Sequence, residues 1–150
     1  MNLVDTGAWS AAWAWSLPLI VMNVVIHVVG LGFINAKIVT MMSGSTERRR
    51  TLSLFAVVVG VTAILAIVLL AAEATAWALA YRVLGALPDN KSAMLYSISA
   101  LTSYGHENLL LASHWQMMGA LEALNGMLLF GLTTAFLFAM MQKVWPFSPL

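Results

Sequence analysis

The chain has 150 residues and a formal net charge of +1, with 61% apolar and 9% charged residues. A soluble domain carries about 25% charged residues, so this one cannot cover a globular surface with charge. That excludes a soluble enzyme, a disordered chain and a nucleic-acid binder, which needs a basic patch. There is no cysteine, hence no disulfide, zinc–thiolate site or thiol nucleophile.

A bilayer core of about 30 Å takes about 20 mostly apolar residues of helix. Three stretches qualify: residues 12–40, 51–84 and 117–141. The first is not expected to be a signal peptide, because the residues before it lack a positive charge and include Asp5. Asn23 and His27 share one face of this helix, continued by Gly30. The bland reading of that face is a packing stripe; the sharper one is a proton or ion relay with Glu73. Counting depth from the span ends puts Glu73 more than a turn further out than His27, which argues against a direct pair.

Arg48, Arg49 and Arg50 form the strongest positive cluster and are expected in the cytoplasm. The N-terminus then lies outside and the C-terminus inside, with Lys143 as a second inner anchor. Trp9, Trp13, Trp15, Trp77, Tyr81 and Trp115 fall at the outer interface on this reading, and Trp145 at the inner one. Three consecutive arginines do not make a voltage sensor, which spaces its arginines along a helix in the membrane. The second span is longer than a bilayer requires. Its outer half, residues 71–80, is rich in alanine and is expected to pack against protein.

Residues 88–113 are too polar to span. Asp89 or Asn90 can cap a short helix over residues 91–100, too short to cross. Irregular backbone at membrane depth is tolerated only where it is buried in protein or lines a watery cavity. The expected plan is therefore all-α: three transmembrane helices and a re-entrant helix with a polar loop. Residues 1–50 form an extra leading helix with a basic loop, 51–145 a pore-like unit, and 146–150 a short cytoplasmic tail.

Three pieces in order carry a family resemblance. Ala93-Met94-Leu95-Tyr96-Ser97 looks like the start of a pore helix. Tyr104-Gly105 looks like the end of a Gly-Tyr-Gly filter. Residues 126–135, with Gly126 and Gly131, look like an inner helix. Together they resemble the pore domain of the potassium-channel superfamily, of the two-helix bacterial type, over about residues 51–143. The resemblance implies a homotetramer with a central pore in a bacterial inner membrane, conducting a monovalent cation, with potassium the first guess and no cofactor. It implies filter positions at Leu101, Thr102, Ser103, Tyr104 and Gly105, and an outer mouth at His106 and Glu107. It further implies hinges at Gly126 and Gly131, a pore-lining Thr134, and a brace in which Glu73 accepts hydrogen bonds from Ser97, Tyr96 or Ser99. The sequence has Leu101, Thr102 and Ser103 where the family reads Thr-Val-Gly. Carbonyl filters need left-handed backbone, which glycine takes at little cost, so a weakly selective filter is expected. The alternative is a non-conducting scaffold or partner subunit that keeps the fold. Other expected partners are lipid and an unidentified regulatory protein. Glu122, near a span end, is read as structural and wetted, and an enzyme is not expected.

Overall fold

The protein is described by a computed structural model covering residues 6–43, 52–105 and 109–144. The basic cluster Arg48–50, the expected mouth residues His106 and Glu107, and Trp145 lie outside the described residues.

Four α-helices make up the described fold: α1 (Thr6–Ser43), α2 (Leu52–Val83), α3 (Asn90–Leu101) and α4 (Gln116–Val144). A single 3-10 turn, Ser113–Trp115, leads into α4. No strand occurs among the described residues. Three helical segments are long and apolar enough to cross a bilayer: Trp9–Thr40, Leu52–Val83 and Ser113–Val144. The protein is thus all-α and fit for a membrane. Its outward side chains agree, since Val25, Val29, Phe33, Val57, Ile64, Ile67 and Phe130 are all exposed, as lipid-facing groups should be.

The long helices pack side by side, with α1 lying along both α4 and α2. Gly30 lets α1 approach α2, because a β-carbon there would meet the Leu69 side chain at 2.7 Å. Burial divides α2 along its length. Glu73, Ala74, Trp77, Ala78 and Tyr81 toward its C-terminal end are buried, whereas Val57, Val61, Ile64 and Val68 earlier in the helix are exposed. The alanine-rich stretch therefore packs against protein, as its small residues indicated. Trp77, Tyr81 and Trp115 are buried in the protein core, whereas Trp9, Trp13 and Trp15 are exposed.

The packing core sits at the end where α2 hands over to α3. Leu84 and Gly85 turn the chain, and Gly85 uses a left-handed φ of 65°. Arg82 ties the turn by donating to Asn90 Oδ1 at 2.8 Å and to the Leu87 carbonyl at 2.7 Å. Asp89 caps α3, its carboxylate accepting from the Ser92 backbone N–H at 2.9 Å and the Ser92 hydroxyl at 2.7 Å. These donors hold the Asp89 carboxyl below its ordinary value.

Candidate functional site

α3 runs beside α4 in the same direction. Tyr96 lies against Gly119, Ser97 against Glu122, and Leu101 against Gly126. The end of α3 therefore reaches a level about 15 Å along α4. The chain then doubles back: by Ala112 it has returned to the α2–α3 turn, where its N–H donates to the Ala86 carbonyl at 3.4 Å. Gly126 makes the descent possible. A β-carbon there would sit 2.7 Å from the Leu101 carbonyl carbon and 2.8 Å from its α-carbon, with the carbonyl oxygen nearer still.

The turn at the bottom has a specific form. Ser103 takes φ 55°, its N–H donates to Ala100 O at 2.9 Å, and the Tyr104 N–H donates to Ser99 O at 2.9 Å. This is a Schellman closure with serine in the left-handed place that glycine usually fills. It sets the backbone form of the stretch expected as the filter, Leu101 to Gly105. Leu101 is the last residue of α3 and is buried, and Thr102 is near-helical. Residues 101–103 are a helix cap, not an extended ladder of carbonyls aimed at an axis. The cause is the absence of glycine before Tyr104: α3 continues to Leu101 and must then end its own hydrogen-bond ladder. Thr102, Ser103, Tyr104 and Gly105 are nevertheless exposed. On α4, Gly131 and Thr134 are exposed too; nothing lies within 4 Å of a β-carbon at Gly131, and the Thr134 hydroxyl turns back to Phe130 O at 2.8 Å. Neither Gly126 nor Gly131 interrupts α4, and Gly126 serves as the seat of Leu101.

Two buried polar centres lie behind this turn. In the first, Tyr81 and Ser97 reach the two oxygens of Glu122. Ser97 also faces the Ala74 carbonyl at 2.7 Å. One hydroxyl proton can serve only one of these two acceptors at a time. A proton on Glu122 would satisfy both. Tyr96 stacks edge-on against Tyr81, with ring centroids 5.4 Å apart. Glu122 is fully buried, so it is not the wetted residue its position suggested. Ser97 does join α3 to α2 and α4, but the carboxylate it meets is Glu122.

Glu73 is engaged elsewhere, which corrects the brace. His27 Nδ1 lies 3.0 Å from Glu73 Oε1 and 3.2 Å from Oε2, and both side chains are fully buried. His27 Nε2 lies 2.9 Å from the Thr133 hydroxyl, which itself donates to Leu129 O at 2.9 Å. When Thr133 spends its proton on that carbonyl, His27 Nε2 must be the donor. The Nδ1 contact is then either an imidazolium–carboxylate pair or a proton shared with Glu73. His27 and Glu73 thus pair directly, against the depth count. Thr133 was not singled out in the sequence, although it lies on the buried face of α4 with Glu122.

No three histidine, aspartate or glutamate side chains converge as a metal site among the described residues. Beneath the end of α3, a groove of about 630 Å³ opens between α2 and α4, lined by Ala71, Leu101, Thr102, Ser103 and Phe130 among others. Comparison with family models, with curated proteins and with solved structures finds no match to this chain.

Proposed function

We propose that this chain is the subunit of a membrane cation channel of potassium-channel-like architecture. Copies of it surround a common axis, four being the number that the resemblance implies. One observation carries the reading. A capped helix descends beside α4 to the level of Gly126 and turns through an exposed polar segment, Thr102 to Gly105. The chain then climbs back to Ala86. In a bilayer, an exposed polar turn at that depth needs water or protein around it. A single chain provides one such turn and leaves it open, so further copies are the natural partner. Lipid is the other partner, and His106 and Glu107 then fall at the outer mouth. The reading places the protein in a bacterial inner membrane with its N-terminus outside and C-terminus in the cytoplasm.

The conduction we propose is passive, with no resident cofactor. The Schellman closure folds residues 101–103 into a helix end, so their carbonyls form no extended ladder to replace an ion's water shell. Passage past Thr102 and Ser103 hydroxyls then favours a wider, weakly selective path. The same closure supports the alternative, a non-conducting scaffold or partner subunit. Flux into proteoliposomes of potassium, sodium and a larger organic cation separates them. We expect potassium and sodium to enter at rates within about tenfold of each other. No flux of any cation at any pH or voltage would leave the scaffold.

A further inference from the structure

Helix register places further buried polar groups in a column between the two buried centres. His27, Glu73 and Thr133 meet in one layer. One turn toward the outer end brings Asn23 on α1, Trp77 on α2 and Leu129 on α4 into the next layer. A further step brings Asn125 on α4, and beyond it Ser16, Tyr81 and Glu122. Residues 16, 23 and 27 share a face of α1; 73, 77 and 81 a face of α2; and 122, 125, 129 and 133 a face of α4. All of these side chains are buried.

The column is incompletely bonded. Both amide atoms of Asn23, both of Asn125, the Trp77 indole N–H and the Ser16 hydroxyl have no hydrogen-bond partner in the protein. Leaving a buried polar group unpaired costs about 1–3 kcal/mol, and several in one column are intolerable unless something bonds to them. They present both donors and acceptors, which suits water. A metal cation fits poorly, since the indole and amide N–H groups can only repel it. Inward of His27 the column stops: Leu31, Ala66 and Met140 are buried there, and Thr62 bonds its own helix at Val58 O.

We propose that each chain holds an internal water-filled site, closed at its inner end, in which ordered water held by Asn23, Asn125 and Trp77 links Glu122 to the His27–Glu73 pair and carries protons between them. The ligands are water and the proton. The titratable groups facing the column are His27 from α1, Glu73 and Tyr81 from α2, Tyr96 from α3 and Glu122 from α4. A transfer moves one proton from the Glu122 carboxyl to the nearest water, passes one along the chain of waters, and delivers one to the Glu73–His27 pair. Nothing is oxidised or reduced, and one proton is displaced in all. The site lies within one chain and does not depend on the pore reading.

The test uses the full chain in lipid nanodiscs, with isotope-labelled tryptophan and histidine, transferred to deuterated buffer and followed by magnetic resonance. The Trp77→Phe variant assigns the Trp77 signal. We expect the Trp77 indole N–H to exchange at least tenfold faster than the backbone amides of α2 around it. Asn125→Leu should slow that exchange at least tenfold. Glu122→Gln should leave Trp77 exchange unchanged and slow His27 ring N–H exchange at least tenfold, because an amide cannot carry the proton. Trp77 exchange as slow as that of the surrounding backbone overturns the water site. His27 exchange indifferent to Glu122→Gln overturns the proton link. Should Asn125→Leu not fold, a high-resolution density map of the unmodified chain decides. Ordered water touching Asn23 and Asn125 supports the site, and a direct amide-to-amide bond in a dry column overturns it.

Discussion

Gly126→Ala loads the seam between α3 and α4 directly. The added β-carbon falls 2.7 Å from the Leu101 carbonyl carbon, and ordinary contact begins at 3.4 Å. The end of α3 must therefore retreat by about 0.7 Å on that atom alone. It cannot do so cheaply, because the clashing atoms are backbone and the turn beyond them is tied to Ser99 and Ala100. Overpacking a close-packed interior costs about 1–3 kcal/mol, and alanine in place of glycine within a helix returns about 1 kcal/mol. We expect a net loss of about 1–2 kcal/mol, because backbone yields less than a side chain. Gly131→Ala is the control. Its β-carbon meets nothing within 4 Å, so only the propensity gain of up to about 1 kcal/mol remains. Unfolding of the two variants in mixed micelles of increasing denaturing detergent should separate them by about 2–3 kcal/mol. If Gly126→Ala is as stable as Gly131→Ala, the close approach of Leu101 is not what position 126 requires.

His27→Ala leaves Glu73 buried without its partner, and breaking a buried pair costs about 3–5 kcal/mol; a loss under about 1 kcal/mol in the same unfolding measurement would mean that solvent reaches Glu73. Ser103→Gly relieves a left-handed serine at the end of α3 and should raise stability by about 1 kcal/mol, whereas a loss would show that the Ser103 side chain makes a contact of its own. Asp89 titrates below the usual aspartate range because Ser92 donates to its carboxylate. Its capping contribution is therefore complete above the unfolded-chain value and disappears as pH falls through the lowered folded value. Asp89→Asn should flatten the acid limb of an unfolding-versus-pH curve, and an unchanged limb would remove Asp89 as its cause.

The helical plan was legible because apolar runs of membrane length are a composition signal, and Asp89 followed by Ser92 is a capping signal with its own local mechanism. The dense packing of residues 71–80 was legible from alanine content for the same reason. The turn at Leu101 to Gly105 was not. A resemblance at Tyr104-Gly105 carried the expectation of a filter over Leu101 to Gly105, although no glycine stands before Tyr104 to build an extended ladder. The physical rule already pointed the other way, since a helix that reaches Leu101 has carbonyls to satisfy and the nearest N–H groups are those of residues 103 and 104.

Glu73 shows why depth counting fails where face counting succeeds. From the end of α1 at Ser43 back to His27 is 16 residues, and from the start of α2 at Leu52 up to Glu73 is 21. A common starting plane therefore puts Glu73 about 7.5 Å further out. The two side chains meet because α2 begins that much deeper than α1 ends, and the Gly30–Leu69 contact one turn inward needs a similar offset of about 6 Å. Loop lengths do not fix such an offset; the helix faces do. Glu73, Trp77 and Tyr81 recur on one face of α2, as do Glu122, Asn125 and Thr133 on α4 and Ser16, Asn23 and His27 on α1. Each helix thus carries its buried polar residues in a single stripe. In lipid, a polar stripe has to face protein or water. Three such stripes on three neighbouring helices are satisfied here by turning toward one another, which brings His27 to Glu73 across 46 residues of chain and to Thr133 across 106.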